Sequence, residues 1–112
     1  MDGQIERLGD ILDTIMDRSP NDWVYLSKDG GDWTLDTKAA TLENEDYPPE
    51  LENEPDAGVP EFARDNGLAP ALTVPLLQDI VVNARLQRPE ATLDDLLSAF
   101  RYYYDWDGFI QF

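Results

Sequence analysis

The most regular chemical spacing in the chain is a run of carboxylates at every second position, Glu50, Glu52, Glu54 and Asp56. Pro49 and Pro55 bias this run toward extension, which sets successive carboxylates on one side about 6.7 Å apart. A stiffened row of anions resembles a phosphate backbone and suits a cationic groove. Glu61 ends the same acidic stretch, and no basic residue lies between Glu43 and Glu61. A second constellation lies near the C-terminus, where Tyr102, Tyr103, Tyr104 and Trp106 alternate with Asp105 and Asp107. Tyr103 and Tyr104 fall in line with an apolar stripe, whereas Tyr102 and Trp106 are expected at the surface. There they would anchor a protein contact rimmed by Asp105 and Asp107, since exposed Tyr and Trp dominate binding energy at interfaces. The partner-binding candidates are therefore Glu50, Glu52, Glu54, Asp56 and Glu61 on one side, and Tyr102, Asp105, Trp106 and Asp107 on the other.

Catalytic chemistry finds little support. The chain has neither His nor Cys, which removes serine and cysteine triads, thiolate nucleophiles and zinc sites of the Cys/His kind. Ser19, Ser27 and Ser98 have no evident base to activate them. Asp105-Trp106-Asp107-Gly108 has the look of a calcium loop but lacks the third oxygen ligand expected before the glycine. Gly30-Gly31 belongs to no phosphate-binding motif. A pair of carboxylates acting on a sugar would need a cleft that a chain of 112 residues has little room to build. No catalytic residue, cofactor or metal is expected.

Charge is the strongest single signal. With 24 Asp and Glu against 8 Lys and Arg the net charge is −16. Such a surface repels nucleic acid. It also repels itself, which lowers the stability of the compact state. Solubility is one reason to tolerate that cost; the other is a basic protein partner, steered in and held by charge complementarity. No apolar run approaches the length of a membrane span, and the acidic start Met1-Asp2-Gly3-Gln4 does not read as a signal peptide. A cytoplasmic protein is expected.

These constellations need elements to position them. Ile5, Leu8, Ile11, Leu12, Ile15 and Met16 fall at helical spacing over residues 3–18, with Glu6, Arg7, Asp10, Asp13 and Asp17 facing outward. Pro20 stops that helix. Trp23-Val24-Tyr25-Leu26 and Trp33-Thr34-Leu35 flank the turn cluster Lys28-Asp29-Gly30-Gly31-Asp32, which predicts a β-hairpin whose second strand runs on to Leu42. Residues 43–60, with four prolines, predict a long acidic loop. A helical turn at Glu61-Phe62-Ala63-Arg64-Asp65 is closed by Asn66-Gly67. Thr73 caps a helix to about Gln87, and Pro89 breaks the chain. Thr92 then opens a last helix whose buried face is Leu93, Leu96, Leu97 and Phe100, continued by Tyr103 and Tyr104. The tail Phe109-Ile110-Gln111-Phe112 is expected to add a short strand. The whole predicts one α+β domain over residues 1–112.

Trp23-Val24-Tyr25-Leu26, Trp33-Thr34-Leu35-Asp36-Thr37, Glu61-Phe62-Ala63 with Gly67-Leu68, Asn83 to Pro89, and the ending Tyr103-Tyr104 with Asp107 and Phe109-Ile110 carry a family resemblance. The chain is similar to small acidic bacterial proteins that include immunity proteins of contact-dependent growth inhibition systems. The resemblance implies a non-enzymatic antitoxin that binds one cognate toxin in the cytoplasm, many such toxins being basic nucleases that act on transfer RNA. The expected partner is thus a basic toxin domain bound one-to-one by a monomer, with its active site or RNA groove occluded. Two alternatives stay open at this point: a DNA mimic that blocks a restriction enzyme or other DNA-binding protein, and a carboxylate metal-dependent enzyme.

Overall fold

The computed structural model describes residues 4–28, 33–43 and 58–112. The fold is α+β: a four-stranded antiparallel sheet in the order β1-β3-β2-β4, with helices packed against it. The strands are β1 (Glu6–Arg7), β2 (Trp23–Ser27), β3 (Lys38–Leu42) and β4 (Leu68–Thr73). The helices are α1 (Leu8–Asp13), α2 (Glu61–Asp65), α3 (Val74–Gln87) and α4 (Leu93–Trp106), and a 3₁₀ turn at Ile15–Asp17 follows α1.

Alternation along β2 divides the interior into two layers. Val24 and Leu26 join Leu8, Ile11, Leu12, Ile15, Leu77, Ile80, Leu96 and Phe100 on the face covered by α1, α3 and α4. Tyr25 points the other way, into a smaller cluster with Ala40, Leu42, Val59, Ala63 and Leu68 beneath α2. The register Tyr25↔Ala40 and Leu26↔Ala39 keeps each pair on its own side.

Strand β4 needs an irregularity to serve both layers. Leu68 belongs to the small cluster and Leu72 to the large one, although both are even-numbered. The register runs Tyr25↔Pro70 and then Val24↔Leu72, so Ala71 is an extra residue. This bulge swaps the faces on either side of it. β4 is also an edge strand, where Pro70 removes no ladder hydrogen bond that the sheet requires.

Three of the expected elements are corrected. The first helix begins at Leu8, not residue 3, because Glu6 and Arg7 are extended and pair with Ala39 and Lys38. The first helical N–H groups find carbonyls across the fold, Leu8 N donating to Thr37 O at 2.9 Å and Gly9 N to Leu35 O at 2.9 Å. Ile5 and Met16 consequently fall outside the buried stripe.

Trp33-Thr34-Leu35 is not strand. Thr34 and Thr37 build a local turn instead, with Thr34 N donating to Thr37 Oγ1 at 2.8 Å and Thr37 N to Thr34 O at 3.1 Å. Pairing with β2 starts only at Ala39. The glycine pair expected in the hairpin turn and the stretch 44–57 lie outside the described residues.

The C-terminal tail adds no strand. Gln87 holds it from α3, Nε2 donating to Ile110 O at 2.7 Å and Oε1 accepting from Phe112 N at 3.1 Å. Arg88 lies over the Phe112 ring, 4.4 Å from its centroid. Among the described residues no helix is long and apolar enough to cross a membrane.

Candidate partner-binding site

Helix α4 positions the C-terminal constellation. Its start is fixed by a capping box: Thr92 Oγ1 accepts from Asp95 N at 3.1 Å, and Asp95 Oδ2 accepts from Thr92 N at 3.0 Å. Leu96, Ala99 and Phe100 are buried against the sheet and α3. Helical spacing then turns Tyr102 and Trp106 outward on a shared face, their rings 6.4 Å apart. Trp106 is 72% exposed, Tyr104 52% and Tyr102 39%.

The end of α4 carries three features that disfavour it as a helix terminus. Asp107 takes the left-handed conformation, φ 54° and ψ 40°, that glycine or asparagine adopts at less cost. Asp105 and Asp107 place negative charge at the negative pole of the helix, and its last turn holds no basic residue. The chain then turns back, and Phe109 comes to rest against Tyr103 with ring centroids 5.4 Å apart.

Beside this terminus lies a cavity of about 200 Å³. It is lined by Ala71 and Leu72 of β4, Leu76 of α3, and Phe100, Tyr103, Tyr104 and Asp107. The aromatic wall is braced from behind by Trp33, stacked on Phe100 at 5.1 Å and set edge-on to Tyr104 at 4.7 Å. Sequence reasoning had Trp33 in a strand and Tyr104 in the buried stripe; both are corrected by this contact, which leaves Tyr104 half exposed. The cavity itself was not foreseen. The spacing of Tyr103, Tyr104 and Asp107 was a usable signal, since positions three and four apart share a helix face.

The structure pairs Tyr102 with Trp106 on one face of α4, with the exposed Asp105 beside them in the last turn, while Asp107, the residue that ends the helix, lines the cavity with Tyr103 and Tyr104. It places Glu61 elsewhere, in the first turn of α2, which packs on the opposite face of the sheet. Glu50, Glu52, Glu54 and Asp56 lie outside the described residues. All eight basic side chains lie among the described residues, and every charged side chain in the stretches outside them is acidic. Among the described residues no three carboxylates converge as ligands for a metal ion.

At one other corner charge is paired. Arg18 grips Glu6 with both terminal nitrogens, at 2.6 and 2.7 Å, and also donates to Thr14 Oγ1 and Thr41 Oγ1. The Glu6 hydrogen bond is the main reason that the Arg18 guanidinium is held above its ordinary pKa, against the opposing effect of burial.

This chain belongs to a family described as a domain of unknown function, DUF7716, which spans residues 5–112. No curated protein and no solved structure matches it. The family thus covers the sheet, all the helices and the C-terminal surface, and assigns no activity to any of them.

Proposed function

We propose that the protein is an immunity protein that binds and neutralises a cognate basic toxin, a nuclease acting on transfer RNA, by covering its active site or RNA-binding groove. The observation that carries this reading is the exposed Tyr102–Trp106 face set among Asp105 and Asp107 in a chain of net charge −16. Aromatic anchors supply desolvated contact area, and a carboxylate rim selects a cationic surface. The acidic run Glu50 to Asp56 adds long-range attraction, which acts on the rate of encounter more than on the lifetime of the complex. The lack of His and Cys fits a protein that inhibits by occupancy and performs no chemistry of its own. The complex would be one-to-one and cytoplasmic.

The test starts from the gene immediately upstream, which this reading expects to encode a large secreted protein with a short basic C-terminal domain; that domain is co-expressed with the protein and scored by survival, then purified for stopped-flow association across a salt series. The expected result is protection, with an association rate that falls steeply as salt rises. Trp106→Ala is expected to raise the dissociation rate about tenfold or more. Neutralising Glu50, Glu52, Glu54 and Asp56 to Gln or Asn is expected to slow association. No protection, or an association rate indifferent to salt, would overturn the reading.

A further inference from the structure

The cavity beside α4 has a composition that defines an occupant. Its lining combines the buried Phe100 and Leu72, the partly exposed Tyr103 and Tyr104, and the exposed Asp107. At about 200 Å³ it is smaller than the usual site for a drug-sized ligand or cofactor. The space suits one side chain. Aromatic faces attract a cation that has a planar, weakly hydrated head, and an arginine guanidinium stacks on them where a lysine ammonium stays solvated. A carboxylate in the lining receives the same fork through two parallel hydrogen bonds.

Electrostatics point to the same ligand. The cavity is lined by residues of the last turns of α4 and by Asp107 at its end, where the helix dipole is negative. Asp107 adds a charge of the same sign to that pole, in a backbone conformation that already disfavours aspartate. Asparagine would hold the same turn with less strain and less repulsion. The carboxylate is therefore costly to the free protein, and a bound cation would relieve the cost.

We infer that this cavity receives the side chain of an arginine presented by the protein's basic partner, with the guanidinium between the tyrosine wall and Asp107. The inference rests on the proposed function for the partner and on the cavity for the chemistry. It distinguishes this site from the neighbouring Tyr102–Trp106 face: the face covers area, and the cavity selects one residue.

The experiment is a two-dimensional NMR titration of the full chain with Nα-acetyl-arginine-N-methylamide, its lysine counterpart and its neutral citrulline counterpart. The arginine derivative is expected to give saturable shifts confined to the amides of Leu72, Leu76, Tyr103, Tyr104 and their neighbours. It should bind about tenfold more tightly than the citrulline derivative, with lysine in between. Asp107→Asn should abolish the preference for arginine while leaving the rest of the spectrum in place. Equal binding of arginine and citrulline would overturn the inference, and so would non-saturating shifts spread over the surface carboxylates. Saturable arginine binding without protection against any toxin domain found upstream would uphold the cavity and remove the immunity reading. Protection undiminished by Asp107→Asn, with no saturable arginine binding, would do the reverse.

Discussion

Two corners of this molecule handle charge in opposite ways. Between β1 and the turn after α1, Arg18 and Glu6 meet as a bidentate pair, 19% and 21% exposed, and two threonine hydroxyls take the guanidinium's remaining donors. At the far end of α4, Asp105 and Asp107 crowd a negative helix pole beside half-exposed aromatics. The first arrangement lowers the energy of the free fold, because partly buried charges cost little once their hydrogen bonds are complete. The second raises it. In a chain with only eight basic residues, Arg18 is placed at one corner and none in the last turn of α4, where a partner can supply the cation.

The largest way to break this comparison is at the paired corner. Arg18→Ala strips Glu6 of its partner in a half-buried site and removes the ties to Thr14 and Thr41 that join α1 to β3. The expected cost is about 2 kcal/mol, measured by urea unfolding. Arg18→Lys keeps the charge but loses the planar fork, so it should recover only part of that loss. A loss below about 0.5 kcal/mol would make this pair an ordinary surface contact and would remove the contrast.

The opposite corner should respond with the opposite sign. Asp107→Asn relieves both the helix-pole repulsion and the left-handed strain, and is expected to stabilise the free protein by about 0.5–1 kcal/mol. Thermal melts at low salt, where the dipole term is least screened, give the clearest reading. A destabilised variant would mean that the Asp107 carboxylate is held by the fold itself and is not reserved for a ligand.

Much of the scaffold was legible because it is local. Thr73 accepts from Leu76 N as a cap, Thr92 and Asp95 form their box, and Gly67 closes α2 with φ 67°. Each of these is a decision taken within four residues. The errors came where distant chain segments decide. Glu6 and Arg7 sit on a helical pattern, yet β3 claims them as strand, and Arg18 and Asp36 hold their side chains in place. β4 was missed because the bulge at Ala71 destroys its alternation and Pro70 lowers its strand propensity. The C-terminal candidates Tyr102, Asp105, Trp106 and Asp107 were legible from exposure arguments on a single helix. The cavity next to them was not, since it takes Leu72, Leu76 and Phe100 from three elements whose packing no local pattern encodes.

The smallest expected effect lies where the paired corner meets the acidic stretch. Asp22 precedes β2 and Glu43 follows β3, and the register Trp23↔Leu42 brings the two toward each other across the strand ends. Burial, foremost, and then the charge of Glu43 hold the Asp22 carboxyl above its ordinary pKa, and the pull of Arg18 does not offset them. A carboxyl with a raised folded-state pKa favours the folded protein in its protonated form. The penalty is therefore fully present above the folded pKa and fades as pH falls through it toward the unfolded value. Asp22→Asn is expected to stabilise the protein by a few tenths of a kcal/mol at neutral pH, as for like charges placed opposite each other on strands. The backbone bonds of residue 22, to Ser19 O and from Val74 N, are untouched by the change. The gain should shrink as pH is lowered from about 7 to about 4, across the carboxylate range, and Glu43→Gln should reproduce the part due to repulsion alone. Urea midpoints for wild type and both variants at several pH values measure this directly. A gain that stays constant with pH would assign the effect to shape or hydrogen bonding. One that shrinks would place the boundary of charge compensation between Arg18 and Glu43, where the acidic stretch begins.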